Sequence, residues 1–115
     1  MKQAHVFRST STEWQPHPRL RGIRVKSLEN SQTYSEASVT LVQVDPGVVI
    51  ELHAHERGYE TAFVISGQGV LSLPEGEVPL GPGDGVTVPP QTTHGLRNTG
   101  QEPIQILAVH IPPMM

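Results

Sequence analysis

Glycine and proline are spread so evenly along this chain that they leave almost no room for a helix. The sequence contains 11 residues of each type, with prolines from Pro16 to Pro113. Both residues interrupt helices, glycine through its conformational freedom and proline through its missing N–H. The longest stretch without either, Ile23 to Asp45, has no apolar stripe of helical period. The chain is therefore predicted to be all-β, with little or no helix.

Turn residues separate short apolar runs, and this rhythm predicts the strands. One strand should begin near Gly22, and others are predicted at residues 39–45, 48–55, 59–66, 70–73, 77–80, 86–88, 94–99 and 103–111. Such closely spaced strands are typical of a sandwich, a jelly roll or a barrel. We expect residues 1–115 to form a single domain, in which residues 1–20 are an extended N-terminal arm and residues 21–115 the barrel.

Charge and composition exclude several kinds of partner. The formal net charge is −3, with acidic and basic residues interspersed, so no nucleic-acid partner is predicted. No apolar run is long enough to span a bilayer or to form a signal peptide, so no membrane partner is predicted, and we expect a cytoplasmic location. The chain contains no cysteine, which excludes disulfides and thiolate ligands.

Two histidines and a glutamate mark the stretch from Gly47 to Gly67. Alternate side chains of a strand share a face, so His53 and His55 should point the same way, with Cα atoms about 6–7 Å apart. A tight turn after them would start the next strand beside the first and bring Glu60 to the same place, and His94 is a fourth candidate. Most single histidines are ordinary residues, but imidazole and carboxylate together suit Fe, Mn, Ni, Co, Cu or Zn. The predicted cofactor is one divalent transition metal ion per chain.

Two motifs resemble those of the cupin superfamily. The first is Gly47-(5)-His53-Ala54-His55-(4)-Glu60-(6)-Gly67, and the second is Gly83-(5)-Pro89-(4)-His94-(3)-Asn98. They occur in the family's order and at a compatible spacing, which makes the resemblance far more specific than a pair of histidines alone.

The resemblance implies a cupin-like jelly-roll barrel, also called a double-stranded β-helix. It implies that His53, His55, Glu60 and His94 hold the metal, and that the protein is a homodimer like other small single-domain cupins. One departure is Gln91, which stands where cupins usually carry glycine. Because glycine there suits a positive φ, Gln91 implies either a somewhat different loop or some backbone strain.

Three other residues are candidates for the cavity wall. In the last strand, alternation places His110 with Ile106 and Ala108 on one face, opposite a more uniformly apolar face. If the face that carries His110 points inward, His110 is a candidate catalytic base or a support for the metal ligands. If that face points outward, His110 is exposed. The pattern favours neither direction. Glu51 shares a face with His53 and is the other candidate catalytic residue, although such a carboxylate is more often solvated. Gln43 is a further candidate for an inward side chain.

Three classes of function fit these residues. A metal-dependent enzyme acting on a small organic molecule is favoured, with oxygenase chemistry (a dioxygenase) first, because the ligand set leaves coordination positions open and no paired acid and base is evident. A metal-dependent isomerase or lyase is the close alternative. The second class is a non-catalytic module that binds a small ligand. The third is an interaction domain with a degenerate site, and the complete ligand set argues against it.

Overall fold

The computed structural model describes residues 3–34 and 36–114, which form ten β-strands. The strands are β1 (Gln15–Pro16), β2 (Ile23–Glu29), β3 (Ser38–Val44), β4 (Val49–His53), β5 (Tyr59–Ser66), β6 (Gly69–Leu73), β7 (Gly76–Leu80), β8 (Gly85–Val88), β9 (His94–Arg97) and β10 (Ile104–Ile111). Helical structure in these residues is limited to one 3-10 turn at Ser9–Ser11. Within the described ranges no helix is long and apolar enough to cross a membrane. The all-β prediction is confirmed.

The strands form two antiparallel sheets. The larger sheet has the order β1-β2-β3-β10-β5-β8, and the smaller has the order β4-β9-β6-β7. From β3 onward the chain passes repeatedly from one sheet to the other, and β6–β7 is the one hairpin within a sheet along this part. This interleaving is the double-stranded β-helix that the motifs implied, so the predicted fold class is confirmed.

The connection between β4 and β5 differs from the sequence prediction. The two strands were expected to lie side by side, but β4 pairs with β9 in the smaller sheet and β5 pairs with β10 and β8 in the larger. The prediction was wrong because a short turn between two apolar runs usually indicates a hairpin, whereas here each strand pairs with strands distant in sequence. As a result, residues at the end of β4 and the start of β5 belong to opposite sheets.

Strand β10 lies inside the larger sheet, between β3 and β5, and determines which residues face inward. Its register pairs His110 with Ser38 on one side and with Glu60 on the other. Ile106 and Ala108 have the same parity as His110 and are buried. Because paired residues of a sheet share a face, His110 points between the sheets, which decides the alternative that the sequence left open.

The side chains of Tyr59 and Gln43 both lie outside the cavity. Tyr59 precedes Glu60 on β5 and is 54% exposed. Gln43 lies on the outer face, because its strand neighbours Val42 and Val44 pack in the core, and its side-chain oxygen accepts a 3.2 Å hydrogen bond from Nε of Arg24. The inward direction predicted for Gln43 is therefore wrong.

The space between the sheets contains both a packed core and a cavity. The buried core consists of Ile23, Val44, Val64, Ile104 and Ile106. Burial of such side chains stabilises the fold by about 1.5–3 kcal/mol each. The remaining space is a cavity of about 440 Å³, which is lined by both sheets.

Candidate metal centre

Five side chains with metal-ligating atoms meet on the cavity wall. His53 ends β4, His55 follows it and His94 begins β9, while Glu60 comes from β5 and His110 from β10. The ring centroids of the first three histidines lie 4.3 to 5.2 Å apart. The ring of His110 lies 5.7 Å from that of His55. The four residues that the motifs pointed to are thus close together, and His110 is the fifth member of the cluster.

A bulge in β4 determines where His53 points. The register between β4 and β9 shifts between Ile50 and His53, so the alternation of side chains is interrupted there. Gly95 of β9 lies against this bulge, where a Cβ atom would come within 2.8 Å of the carbonyl oxygen of Ile50. Glycine therefore lets the bulge pack closely against β9, and His53 comes to lie directly opposite His94.

The same bulge changes the interpretation of Glu51. The alternation that would place its side chain with that of His53 does not hold across the bulge. Glu51 is exposed, and its carboxylate makes no hydrogen bond or ion pair with the rest of the described chain. Its backbone carbonyl accepts a hydrogen bond from the His53 ring. A catalytic role for the Glu51 side chain stays a prediction.

Backbone carbonyls fix the tautomer of two histidines. Nδ1 of His53 lies 2.9 Å from the carbonyl oxygen of Glu51, and Nδ1 of His94 lies 2.9 Å from that of Thr92. A carbonyl oxygen only accepts, so Nδ1 carries the proton in both rings. In the neutral form of each ring Nε2 therefore keeps a lone pair that a metal ion can take, and a backbone carbonyl at Nδ1 is the usual support for a ligating imidazole. When no ion is bound, protonated Nε2 of His94 donates to Glu60 instead.

The carboxylate of Glu60 connects the two sheets within this cluster. Its Oε1 lies 3.2 Å from Nε2 of both His55 and His94, and its Oε2 lies 3.5 Å from Nε2 of His110. Burial disfavours the charged form, but hydrogen bonds from His110 and His94, together with their charge, outweigh burial and hold the pKa of Glu60 below its usual range. The carboxylate is consequently an anionic donor.

The pKa values of the two histidines nearest Oε1 of Glu60 shift in opposite directions. The hydrogen bond to Glu60 raises the pKa of His94, against the effect of burial. For His55, burial is the largest effect and lowers the pKa, although Glu60 opposes it. A histidine with a lowered pKa is neutral near pH 7, which is the form that ligates metals.

The donor set fits a divalent transition metal ion. Two groups of three side chains have ligand atoms within 4.8 Å of one another: His53, His55 and His94, and His55, Glu60 and His110. Bonds of about 2.0–2.2 Å to one ion place neighbouring donors roughly 3 Å apart. The 3.2 Å distances from Oε1 of Glu60 to two Nε2 atoms already have this spacing. Imidazole nitrogen and carboxylate oxygen are also the donors that such ions prefer.

The rest of the cavity wall is largely aliphatic. Strands of both sheets contribute side chains such as Val42, Ile50 and Leu80, and the N-terminal and C-terminal segments add Leu20 and Met114. Sequence alternation identifies inward residues on strands, but it gives no signal for residues of irregular segments that cover a cavity. Leu20 and Met114 were therefore missed.

These features define a small β-barrel with a candidate metal centre inside it. The family model described as the cupin domain matches residues 40–110. This range includes every member of the five-residue cluster. The chain belongs to the cupin family.

Relatives of the chain carry several different names. It is 27% identical over 110 residues to the uncharacterized protein MJ1618 of Methanocaldococcus jannaschii, covering 94% of this chain and 88% of that protein. It is 31% identical over 70 residues to the oxalate-binding protein of Thermotoga maritima, covering 61% of this chain and 58% of that protein. It is 43% identical over 63 residues to the glucose-6-phosphate isomerase of Thermococcus kodakarensis, covering 50% of this chain and 33% of that protein's length.

Solved structures share the fold over nearly the whole chain. KdgF from a Halomonas species has a TM-score of 0.81 at 25% identity, covering 94% of both chains. A predicted oxalate decarboxylase from Thermotoga maritima has a TM-score of 0.84 at 25% identity, covering 94% of this chain and 99% of that one. The double-stranded β-helix is therefore shared by proteins with different names.

The loop that leads to His94 contains the departure at Gln91. Its φ of 63° is the single positive φ of a non-glycine residue in the described part of the chain. Its N–H donates a 2.7 Å hydrogen bond to the carbonyl oxygen of His55, which ties together two segments of the centre. The loop therefore takes a left-handed conformation at a residue with a side chain, which costs about 1–2 kcal/mol.

Replacing Gln91 with glycine should stabilise the protein. Relief of the left-handed penalty exceeds the cost of glycine's extra freedom in the unfolded chain, about 0.5–1 kcal/mol, so the expected net gain is about 0.5–1 kcal/mol. Urea unfolding measures this change. Gln91→Val should be less stable than the wild type, because β-branched residues fit this region poorly. Gln101→Gly, at an exposed residue without positive φ, should also lose stability. A Gln91→Gly variant no more stable than the wild type would contradict the strain.

Proposed function

We propose that this cupin is a metal-dependent enzyme of the oxygenase type that acts on a small organic molecule. In this proposal His53, His55, Glu60 and His94 hold one divalent transition metal ion, of Fe, Mn, Ni, Co, Cu or Zn. The observation that carries the proposal is the convergence of imidazole nitrogens and one carboxylate on the wall of a largely aliphatic cavity. When bound, such an ion supplies open coordination positions for a substrate with two oxygen donors and, if redox-active, reactivity toward dioxygen.

The surroundings of each ligand support its role. His53 and His94 present Nε2 because a backbone carbonyl holds the proton on Nδ1. His55 is kept neutral mainly by burial. Glu60 is the anionic donor of the set. Three neutral imidazoles and one carboxylate leave part of the charge of a divalent ion uncompensated, which favours a substrate that binds as an anion.

Three histidine or carboxylate residues besides the proposed ligands line the cavity, namely His17, Glu51 and His110. Nε2 of His110 faces Glu60 and its Nδ1 is buried, while Nδ1 of His17 accepts hydrogen bonds from the backbone N–H groups of Arg19 and Leu20. The Glu51 side chain is exposed and makes no hydrogen bond or ion pair with the rest of the described chain, so none of the three forms an acid–base pair with another. An isomerase or lyase needs a group that moves a proton at the reacting carbon, whereas in oxygen chemistry the metal carries the demanding step. Within the described residues this arrangement supports the oxygenase over the isomerase or lyase.

The cavity supports a substrate of modest size. Its volume of about 440 Å³ falls within the usual range for small-molecule sites. Aliphatic side chains form most of the wall, and the five-residue cluster supplies donor atoms to one part of it. A molecule with an oxygen-bearing end toward the centre and an apolar body toward the strands matches this distribution.

A second candidate is binding without turnover of a ligand that chelates the metal through two oxygens. The similarity to the oxalate-binding protein of Thermotoga maritima supports it. The lack of an acid–base pair among the described cavity-lining residues is equally compatible with it. The similarity to the Thermococcus kodakarensis glucose-6-phosphate isomerase supports the isomerase alternative over half of the chain.

Metal analysis followed by oxygen-uptake measurements separates these functions. The metal content of protein from its native source identifies the ion, and catechols, enols and thiol acids are then screened in an oxygen electrode. Turnover with oxygen consumption is the expected result. Product formation without oxygen consumption would select the isomerase or lyase. Tight calorimetric binding of oxalate with no product from any compound would select the binding module.

A double variant controls for the ligand set. His53→Ala with His94→Ala should retain no metal and show no oxygen uptake, while circular dichroism still reports a folded barrel, since neither residue belongs to the apolar core. His5→Ala, which removes a histidine that pairs with Glu29 outside the cavity, should keep the metal. Stoichiometric metal in the double variant would contradict the proposed ligands.

We further propose that the protein is a homodimer formed through the outer face of the larger sheet. Tyr59, Phe63, Ile65 and Ile111 are each 45–54% exposed and lie on neighbouring strands β5 and β10. Monomeric soluble proteins rarely expose a contiguous apolar surface of this kind. A two-fold axis would let the same face of a second copy cover it.

Phe63→Glu should weaken dimerisation by at least about thirtyfold, because it places a charge at the centre of the apolar face. Analytical ultracentrifugation over a dilution series measures the shift. Val78→Glu, on β7 of the smaller sheet, makes the same change at a similarly exposed position and should leave the dimer intact. A wild-type protein that sediments as a monomer at every concentration would rule out the dimer.

A further inference from the structure

The turn between β1 and β2, residues 17–22, lies at one end of the cavity. The N–H of His17 donates a 2.8 Å hydrogen bond to the carbonyl oxygen of Ile23 and so extends the pairing of the two strands. Residues opposite one another on paired strands share a face of the sheet, and Ile23 belongs to the buried core, so His17 points between the sheets. His17, Arg19 and Leu20 line the cavity. The turn therefore brings one imidazole and one guanidinium group to a largely aliphatic space.

Two backbone N–H groups fix the tautomer of His17. Nδ1 of its ring accepts 3.1 Å hydrogen bonds from the N–H groups of Arg19 and Leu20. A backbone N–H only donates, so Nδ1 is unprotonated and the proton of the ring is on Nε2. Burial, and after it the charge of Arg19, lowers the pKa of His17, so the ring is neutral near pH 7. No described residue accepts a hydrogen bond from Nε2, which leaves an oriented donor without a partner.

Arg19 is the one lysine or arginine among the described residues that line the cavity. It is exposed, and its guanidinium group forms no ion pair with the described part of the chain. The two acidic residues of the lining, Glu51 and Glu60, are therefore not its partners. Arg21, the other arginine of the turn, lies outside the cavity lining. The positive charge of Arg19 is thus available to a ligand.

We propose that the guanidinium group of Arg19 and the Nε2–H group of His17 bind a carboxylate at this end of the cavity. The planar guanidinium group matches the two oxygens of a carboxylate, and the imidazole adds a neutral donor from the same turn. One positive charge and one neutral donor balance a singly charged anion better than a doubly charged one. The aliphatic wall beyond the turn suits the apolar body of a molecule that carries the carboxylate.

The strand register separates this carboxylate site from the candidate metal centre. Ile23 pairs with Val44, which pairs with Ile104 at the start of β10. His110, a member of the five-residue cluster, lies six residues further along β10, about 20 Å in an extended strand. The cavity continues between the two ends, where Val42 of β3 lines it. The carboxylate site and the centre therefore lie at opposite ends of one cavity.

This placement predicts an elongated substrate, with chelating oxygens at the metal centre and a carboxylate at the turn. The elongated substrate rests on the proposed function, but binding of the carboxylate itself requires no metal. The carboxylate site is therefore tested on metal-free protein and the elongated substrate on zinc-loaded protein.

Octanoate binding to the full chain, stripped of metal with a chelator, tests the carboxylate site. Octanoate combines a carboxylate with an aliphatic body. Isothermal titration calorimetry should show about tenfold weaker binding to Arg19→Gln than to the wild type, because a charge-assisted hydrogen bond is lost. Equal affinity of the two proteins for octanoate, or no binding to the wild type, would overturn the proposal.

Three controls separate the carboxylate site from other causes. Octanamide, a neutral molecule of the same length, should not distinguish Arg19→Gln from the wild type. Arg21→Gln, which removes an exposed arginine outside the cavity lining, should bind octanoate as the wild type does. His53→Ala with His94→Ala should keep the Arg19-dependent affinity, because the carboxylate site is remote from the centre. An equal loss for octanamide, or a loss confined to the double variant, would contradict the site.

Nitrogen-15 NMR of the same metal-free protein, above the titration range of histidine, tests the part of His17. The ring should be protonated on Nε2 in the free protein, and the Nε2 signal should shift when octanoate is added. A ring protonated on Nδ1, or an Nε2 signal that octanoate leaves unchanged, would overturn the shared role of His17 and Arg19.

Suberate tests the elongated substrate in zinc-loaded protein. It has the chain length of octanoate with a carboxylate at each end, so the wild type should bind it about tenfold more tightly than octanoate, whereas Arg19→Gln should bind the two alike. Equal affinities in the wild type would refute the elongated substrate. A wild type that binds no zinc would refute the metal centre, and the metal-free measurements would still decide the carboxylate site.

Discussion

The half-buried carboxylate of Glu60 is the constraint on which the centre depends. An anion in this position needs compensation, because a carboxylate withdrawn from water loses hydration that only a partner charge or hydrogen bond replaces. The compensation comes from histidines of both sheets, with His55 and His94 at one oxygen and His110 at the other. The interaction therefore links the sheets on the wall of the cavity, where few other polar groups are present.

The path of the chain explains how these side chains meet. Because β4 and β5 lie in different sheets, the short segment between them carries ligand-type residues to opposite sides of the cavity. The bulge in β4 and the close approach at Gly95 then turn His53 toward His94. The strained Gln91 closes the loop before His94 onto the carbonyl of His55. Local backbone features, each set by one or two residues, thus bring the donor atoms within reach of one ion.

The positions of the strands and the residues of the cluster were predicted well from the sequence, but the pairing of the strands was not. Turn residues and alternation located nearly every strand, and the spacing of the two motifs pointed to the residues that meet at the cavity. Periodicity did not reveal that β4 and β5 belong to different sheets, since strand pairing depends on contacts distant in sequence. It also missed the bulge beside Glu51, because one extra residue in a strand leaves no mark in an alternating pattern. The direction of His110 was undecided because both faces of β10 are apolar enough to be buried.

Proteins similar to this chain in sequence are named an oxalate-binding protein and a glucose-6-phosphate isomerase, so membership of the family alone does not decide the chemistry. The centre of this chain combines one carboxylate, two imidazoles held by backbone carbonyls, and a fourth histidine whose Nε2 faces that carboxylate. These contacts leave the chemistry to a bound ion and its open positions, with the aliphatic wall selecting the molecule that reaches it.

Anomalous diffraction at the absorption edge of the bound metal tests the central claim most directly. We expect one peak per chain, within bonding distance of Nε2 of His53, His55 and His94 and of Oε1 of Glu60, with His110 bonded to the carboxylate and not to the ion. A peak bonded to His110, or a metal-loaded crystal with no peak among these residues, would contradict it.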